Sequence, residues 1–192
     1  MRTPVDTFFC PTRRSPAADR NFDDNDQPTK VPASAAGGDY AGNAGLNFHF
    51  GTTPEDFANT DDPSIIVGPI FSFSKIKAKQ ATDGLSQTFA VGERHIPPVP
   101  EDAQAGMEHR LQGDTSFLAA DTPETLFGGS EDGIAPDASD NSNGKFGSLH
   151  GQVTLFAFLD GHVTKIDNSI DLETLRRLSV IADGQIVDSR QL

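Results

Sequence analysis

The sequence predicts an α+β fold: an antiparallel β-sheet with a C-terminal β-hairpin and a short helix, joined by long irregular loops. Three observations carry this expectation. Val153–Leu159 and His162–Ile166 are β-rich runs separated by Asp160-Gly161, a dipeptide that favours a type I′ hairpin because Asp tolerates and Gly accepts positive φ. Asp171 stands at a helix N-cap position, with Glu173 in the first turn, Leu172, Leu175 and Leu178 on one stripe, and Gly184 closing the helix. Gly 18 and Pro 13 punctuate the 192 residues, which argues against long helices over most of the length.

Along the chain, residues 1–63 read as mostly irregular. Their short apolar runs, Phe8-Phe9 and Leu46–Phe50, are separated by the acidic Asp19–Asp26 and the Ala/Gly-rich Ala33–Gly38. Ser64–Lys75 has the β-branched and aromatic content of a strand, with Gly68-Pro69 marking a bulge or an edge. Gln87–Glu93 alternates like a second strand, and Thr82-Asp83-Gly84 before it is a turn signal. Residues 96–145 lack periodicity and are rich in Pro, Asp, Glu and Gly. They read as a long acidic surface excursion within a single domain of 1–192, with a helical turn near Glu101–Leu111. In the hairpin, Leu159 is expected opposite His162 and Ala157 opposite Thr164. Val153, Leu155, Ala157 and Leu159 share one face and Phe156 and Phe158 the other, so the helix covers one face and leaves the second partly bare. Gln185–Val187 reads as a last short strand.

Composition excludes several function classes. Fifteen basic against 28 acidic residues give a formal charge of −13, which argues against nucleic acid and against docking on anionic lipid. Fourteen Phe, no Trp and one Tyr mean that Phe supplies most of the core. No apolar stretch approaches the ~20 residues of a spanning helix, and no targeting signal is visible, so direct membrane insertion is not expected. Cys10 is the single cysteine. It allows neither an intramolecular disulfide nor a multi-Cys zinc site, and beside Phe8, Phe9 and Pro11 it reads as a small buried hydrophobe.

Among metal and catalytic patterns, none is complete. An extended strand from Gly151 to Leu159 holds His150 ~30 Å from Asp160 and His162, too far to share an ion. His49 alternates outward between Phe48 and Phe50, and His95 and His109 fall in loop-like sequence. No zinc and no organic cofactor is therefore expected. Calcium remains open, because Asp19–Asp26 and Asp132–Asn143 are rich in oxygen ligands, although neither has EF-hand spacing. Gly147-Ser148-Leu149-His150 lacks the surroundings of a nucleophile elbow, and Gly42-Asn43-Ala44-Gly45 is too short for a phosphate loop. Paired carboxylates for glycoside hydrolysis stay open, since their spacing is spatial. No catalytic residue is assigned.

Four motifs then carry a resemblance. Phe146-Gly147-Ser148-Leu149-His150, nine residues and Asp160-Gly161 resemble the His-X9-Asp-Gly C-terminal signature of a bacterial family, numbered 1559 among domains of unknown function. The family is expanded in planctomycetes, and its members resemble type II secretion pseudopilins. Phe9-Cys10-Pro11-Thr12-Arg13-Arg14 resembles its Cys-Pro-Ser-Arg-Arg run, and Asp39–Gly45, with Tyr40, Gly42, Asn43 and Gly45, resembles its Tyr-Ala-Gly-Asn-x-Gly segment. Thr82–Thr88, with Asp83 and Gly84, and Val91-Gly92-Glu93 resemble two further motifs. Gly151-Gln152 departs from the Pro-Gly-Gly that often follows the signature His. The prepilin leader and helix that usually open members have no counterpart here.

The resemblance implies the globular part of a pilin-like protein without its N-terminal helix, in the cell envelope or outside the cell. Its motif residues are expected to be structural: Asp160-Gly161 for turn geometry, His150 for positioning the start of the strand. The leading expectation is a non-enzymatic structural or assembly component of a pilus or type II secretion-like system, with protein partners or self-association through an apolar sheet face. The alternative is an extracellular solute- or glycan-binding module. An enzyme ranks third.

Overall fold

Small residues in one strand set the thickness of the whole sheet. Strand β1 (Tyr40–Gly45) reads Tyr-Ala-Gly-Asn-Ala-Gly, and the bulk it lacks is supplied by phenylalanines of its neighbours. In the computed structural model, which describes residues 3–20, 35–48, 67–99, 101, 113–117 and 123–188, β1 pairs antiparallel with β2 (Phe89–Glu93). β2 pairs antiparallel with β4 (Val153–Phe158), and β4 with β5 (Val163–Asp167). The short β3 (Phe127–Gly129) lies on the outer side of β1, giving the order β3-β1-β2-β4-β5. Helix α1 (Pro123–Leu126) leads into β3, and α2 (Leu172–Ser179) packs over the sheet. The architecture is α+β, with the expected C-terminal hairpin and helix. The sheet is mixed rather than wholly antiparallel, because β1 and β3 run parallel.

One face of the sheet meets α2. Phe89, Phe146, Phe156, Phe158, Ile166, Leu175 and Leu178 form a single buried cluster there. Phe89 and Phe146 meet edge to face with centroids 5.3 Å apart, and Phe89 lies 4.6 Å from Phe156, separations at which aromatic pairs gain beyond their area. The rings leave no room for a side chain at two glycines of the strands beneath. A Cβ on Gly92 would lie 2.6 Å from the Phe156 ring, and one on Gly128 2.7 Å from Phe146. A second cluster, with Val67, Phe71, Ala81 and Ile181, closes the end of the sheet and takes in Leu159.

Several local expectations are corrected. The hairpin register is displaced by one residue: Ala157 faces Val163 and Phe156 faces Thr164. The connection is a three-residue loop, with Gly161 N–H donating to Phe158 O and Phe158 N–H to His162 O. Gly161 alone takes positive φ, +92°, the arrangement of a type I turn followed by a left-handed residue rather than a type I′ pair. On β4 the helix-facing residues are Thr154, Phe156 and Phe158, while Leu159 leaves the opposite face for the second cluster.

Helix α2 begins at the expected cap, Asp171 accepting from Thr174 N–H at 2.9 Å, but ends at Ser179 rather than near Gly184. Its buried stripe is Leu175 and Leu178, with Leu172 39% exposed. Gln185–Val187 forms no strand, although Val187 joins the core. Of Ser64–Lys75, the described part from Val67 onward is an irregular segment with one bridge, Val67 to Gly45. Pro69 cannot donate to a ladder, and Gly68 presses against Asn43 O so closely that a Cβ would lie 2.4 Å away. In the 96–145 stretch, Phe127–Gly129 is an edge strand and Asp114, Thr115 and Ser116 are buried, so these parts are built into the fold. His49, His109, most of Asp19–Asp26 and nearly all of Glu101–Leu111 lie outside the described residues.

Candidate functional site

The segment after the first 3-10 turn (Asp6–Phe8) carries Cys10 to the end of β2. Cys10 C=O accepts from the N–H groups of Arg13 and Arg14, a tight turn that Pro11 favours. Cys10 N–H donates to Asp39 Oδ2 at 2.9 Å. The thiol is thereby placed beside Glu93, which pairs in register with Tyr40, and beside His150 in the turn before β4. Cys10 Sγ lies 3.4 Å from His150 Nε2, and Glu93 Oε1 lies 3.0 Å from the same nitrogen. Glu93 Oε2 accepts from Leu155 N–H at 2.9 Å, and Thr12 Oγ1 stands 3.4 Å from His150 Nδ1. Cys10 and Glu93 are both 2% exposed, whereas the His150 side chain is 29% exposed. Among the described residues, the group of three or more His, Cys, Asp or Glu donors held within 4.8 Å of one another is this one.

Burial raises the Tyr40 hydroxyl above its ordinary range, and the neighbouring acidic groups at Cys10, Glu93 and Asp39 oppose its ionisation further. Tyr40 therefore borders the same constellation. In a nucleophile–base–carboxylate relay the base offers one ring nitrogen to the nucleophile and the other to the carboxylate. Here thiol and carboxylate converge on a single nitrogen, which has one proton or one lone pair to give.

Behind the constellation lies a buried charge network. Asp114, 1% exposed, accepts from Arg14, from Arg20 Nε at 2.5 Å and from Arg94 Nη2 at 2.8 Å. Burial by itself would raise the Asp114 carboxyl, but Arg94, Arg14 and Arg20 overcome it and hold the group well below the usual carboxylate range. Arg94 also donates to Gly113 O and Gly38 O, and Arg13 to Arg94 O and Gly147 O. Arg13 thus ties the Cys10 turn to the residue after β2 and to the segment that leads into the His150 turn, and Arg14 ties it to Asp114 and Gly38.

The other motif residues lie elsewhere. Asn43 donates to Phe89 O and to Ser179 O, each at 2.7 Å, and accepts from Gly45 N–H, tying β1 to β2 and to the end of α2. Asp83 accepts from the N–H groups of Asp183 and Gly184, and Gly84 takes φ +112°. Asp160 accepts from His162 N–H and meets its Nδ1 at 2.5 Å, so the two ends of the signature have separate partners. Ser148 also holds the start of β4: its hydroxyl donates to Val153 O at 2.6 Å and accepts from His150 N–H. His95, in loop-like sequence, is buried with Nε2 2.8 Å from Asp140 O, and burial lowers its pKa. In Asp132–Asn143, Asp137 and Asp140 accept from Ser139 and Ser142.

A second feature occupies the sheet face opposite α2. Gly42 and Val91 are registered partners pointing away from the phenylalanine cluster. Over them lies an apolar groove of about 480 Å³, walled by Phe8, Ile70, Phe117, Leu126 and Phe127. Tyr40 lines it too and also borders the Cys10 constellation. Sequence reading anticipated a bare apolar face but placed it over the hairpin. It missed the meeting of Cys10, Glu93 and His150, whose signal was that three motifs each contribute one residue able to bind or transfer a proton.

No helix among the described residues is long and apolar enough to cross a membrane. The family model described as "Protein of unknown function (DUF1559)", with the short name SBP_bac_10, matches residues 1–173. No curated protein and no solved structure matches the chain.

Proposed function

The chain belongs to that family of unknown function, and from this premise we propose that it is a non-enzymatic, pseudopilin-like assembly domain of the cell envelope, whose groove opposite α2 receives an apolar helix. The groove carries the reading. Its volume, about 480 Å³, is that of a binding site, yet among the described lining residues only Thr7 and Tyr40 bring a polar side-chain atom. Sites for sugars and polar solutes need several convergent polar groups, whereas a helix laid in a groove needs apolar walls. The convergence of Cys10 and Glu93 on one ring nitrogen supports a non-catalytic role for the neighbouring constellation.

The second reading, an extracellular binding module, draws on the short name SBP_bac_10. In this groove it would favour an apolar ligand. Both readings are tested with Ile70→Glu, a change at a groove residue 36% exposed that the fold should tolerate. A fluorescent amphipathic Leu/Lys helical peptide should bind the native chain and lose at least tenfold in affinity with the variant. Equal binding to both, or no binding to either, overturns the helix reading. Displacement of an apolar dye by a fatty acid but not by the peptide would favour the second.

A further inference from the structure

We propose that Cys10, Glu93 and His150 form a zinc(II) site with three protein ligands and a fourth position open to solvent on the His150 side. Three lines of geometry converge on this. For zinc–donor distances of about 2.3 Å to sulfur and about 2.0–2.1 Å to nitrogen and oxygen, a tetrahedral ion spaces S and N about 3.5 Å apart and N and O about 3.3 Å apart. The observed separations are 3.4 Å and 3.0 Å, each within a few tenths of an ångström of those values, and all three donor atoms lie within 4.8 Å of one another. The convergence of thiol and carboxylate on Nε2, which serves a relay poorly, is what three ligands around a common centre require.

Each ligand is also held from behind. Thr12 Oγ1 faces His150 Nδ1, Leu155 N–H holds Glu93 Oε2, and Asp39 holds the Cys10 backbone, the outer contacts that orient metal ligands. Soft sulfur with imidazole selects zinc and its transition-metal neighbours over calcium or magnesium. Charge balances as well, since one thiolate and one carboxylate neutralise a divalent ion and leave the buried site without net charge. On binding, the thiol proton passes to solvent and Nε2 gives up its own, with Nδ1 carrying the ring proton towards Thr12. The site would fasten the Cys10 segment, the end of β2 and the turn before β4 to one another.

The test is metal binding by the full chain stripped of metal. One equivalent of zinc should bind, and cobalt(II) in its place should show a thiolate-to-metal charge-transfer band. Cys10→Ser should abolish that band and weaken zinc by more than about 100-fold, beyond what outer contacts contribute. Glu93→Gln should keep the band yet weaken zinc, and His162→Ala, at the far end of β4, should change neither. Circular dichroism confirms that each variant is folded. Failure of the native chain to take up zinc stoichiometrically, cobalt bound without the thiolate band, or zinc bound as tightly by folded Cys10→Ser or Glu93→Gln as by the native chain, would each overturn the proposal.

Discussion

Replacing Asp114 with Asn keeps the shape of the side chain and removes its charge from the middle of three guanidinium groups. Asp114 and Arg94 are each 1% exposed and 2.8 Å apart, and Arg14 and Arg20 reach the same carboxylate. Removing one partner of a buried ion pair costs about 3–5 kcal/mol because the survivor stays buried and uncompensated. At ~2–4 °C per kcal/mol for a chain of this size, the melting midpoint should fall by roughly 6–20 °C. The pH dependence carries a sign. The folded carboxyl ionises more readily than the unfolded one, so its contribution is complete above the ordinary carboxylate range and lost as pH falls below that range towards the folded value. Urea unfolding measured from pH 7 downwards should therefore show the native chain losing stability on acidification more steeply than Asp114→Asn. The two curves converge at low pH. A variant within about 1 kcal/mol of the native chain at pH 7, or acid limbs that run parallel, would refute the reasoning.

Three further substitutions test the fold around the site. Gly92→Ala drives a Cβ to within 2.6 Å of the Phe156 ring and 2.7 Å of Phe146. It should cost about 1–3 kcal/mol by calorimetry, partly recovered when Phe156→Leu is added. Gly161→Val meets no atom within 4 Å but must hold φ +92°, so a loss of about 1–2 kcal/mol in denaturant unfolding is expected from the backbone alone. Asn43→Ala leaves Phe89 O and Ser179 O without their donor. It should cost about 2–4 kcal/mol and speed amide exchange in β2 and the last turn of α2.

What the sequence made legible was local. The hairpin and the capped helix at the C-terminus rest on neighbouring residues, Asp160-Gly161 for the turn and Asp171 for the cap, and both form where expected. Their details failed where tertiary packing decides. Only Gly161 needed positive φ, so the loop took three residues, the register moved by one, and Leu159 was freed to join Val67 and Ile181. Ser64–Lys75 has strand-like residues, but Gly68 must lie against the β1 backbone, and the chain beyond Val67 follows that contact instead of a ladder. The constellation was illegible for another reason. Its donors stand at positions 10, 93 and 150, and no periodicity relates residues brought together by sheet order.

The spacing of the His-X9-Asp-Gly signature has a physical meaning once β4 is in place. Its six residues, Val153–Phe158, span ~20 Å at ~3.3 Å per residue. They carry the chain from the constellation at His150 to the hairpin tip at Asp160. The two ends never meet, and each is fixed by its own partners: His150 by Glu93, Cys10 and Thr12, Asp160 by His162. The fixed interval therefore measures a strand rather than a pair of cooperating side chains. Between the ends, alternate residues Thr154, Phe156 and Phe158 face the phenylalanine core under α2. A one-residue insertion in β4 would turn part of that set towards the opposite face. It would also pull His150 out of reach of Glu93 while leaving the turn chemistry of Asp160-Gly161 intact. The cost of changing the interval thus falls on the core and the constellation together.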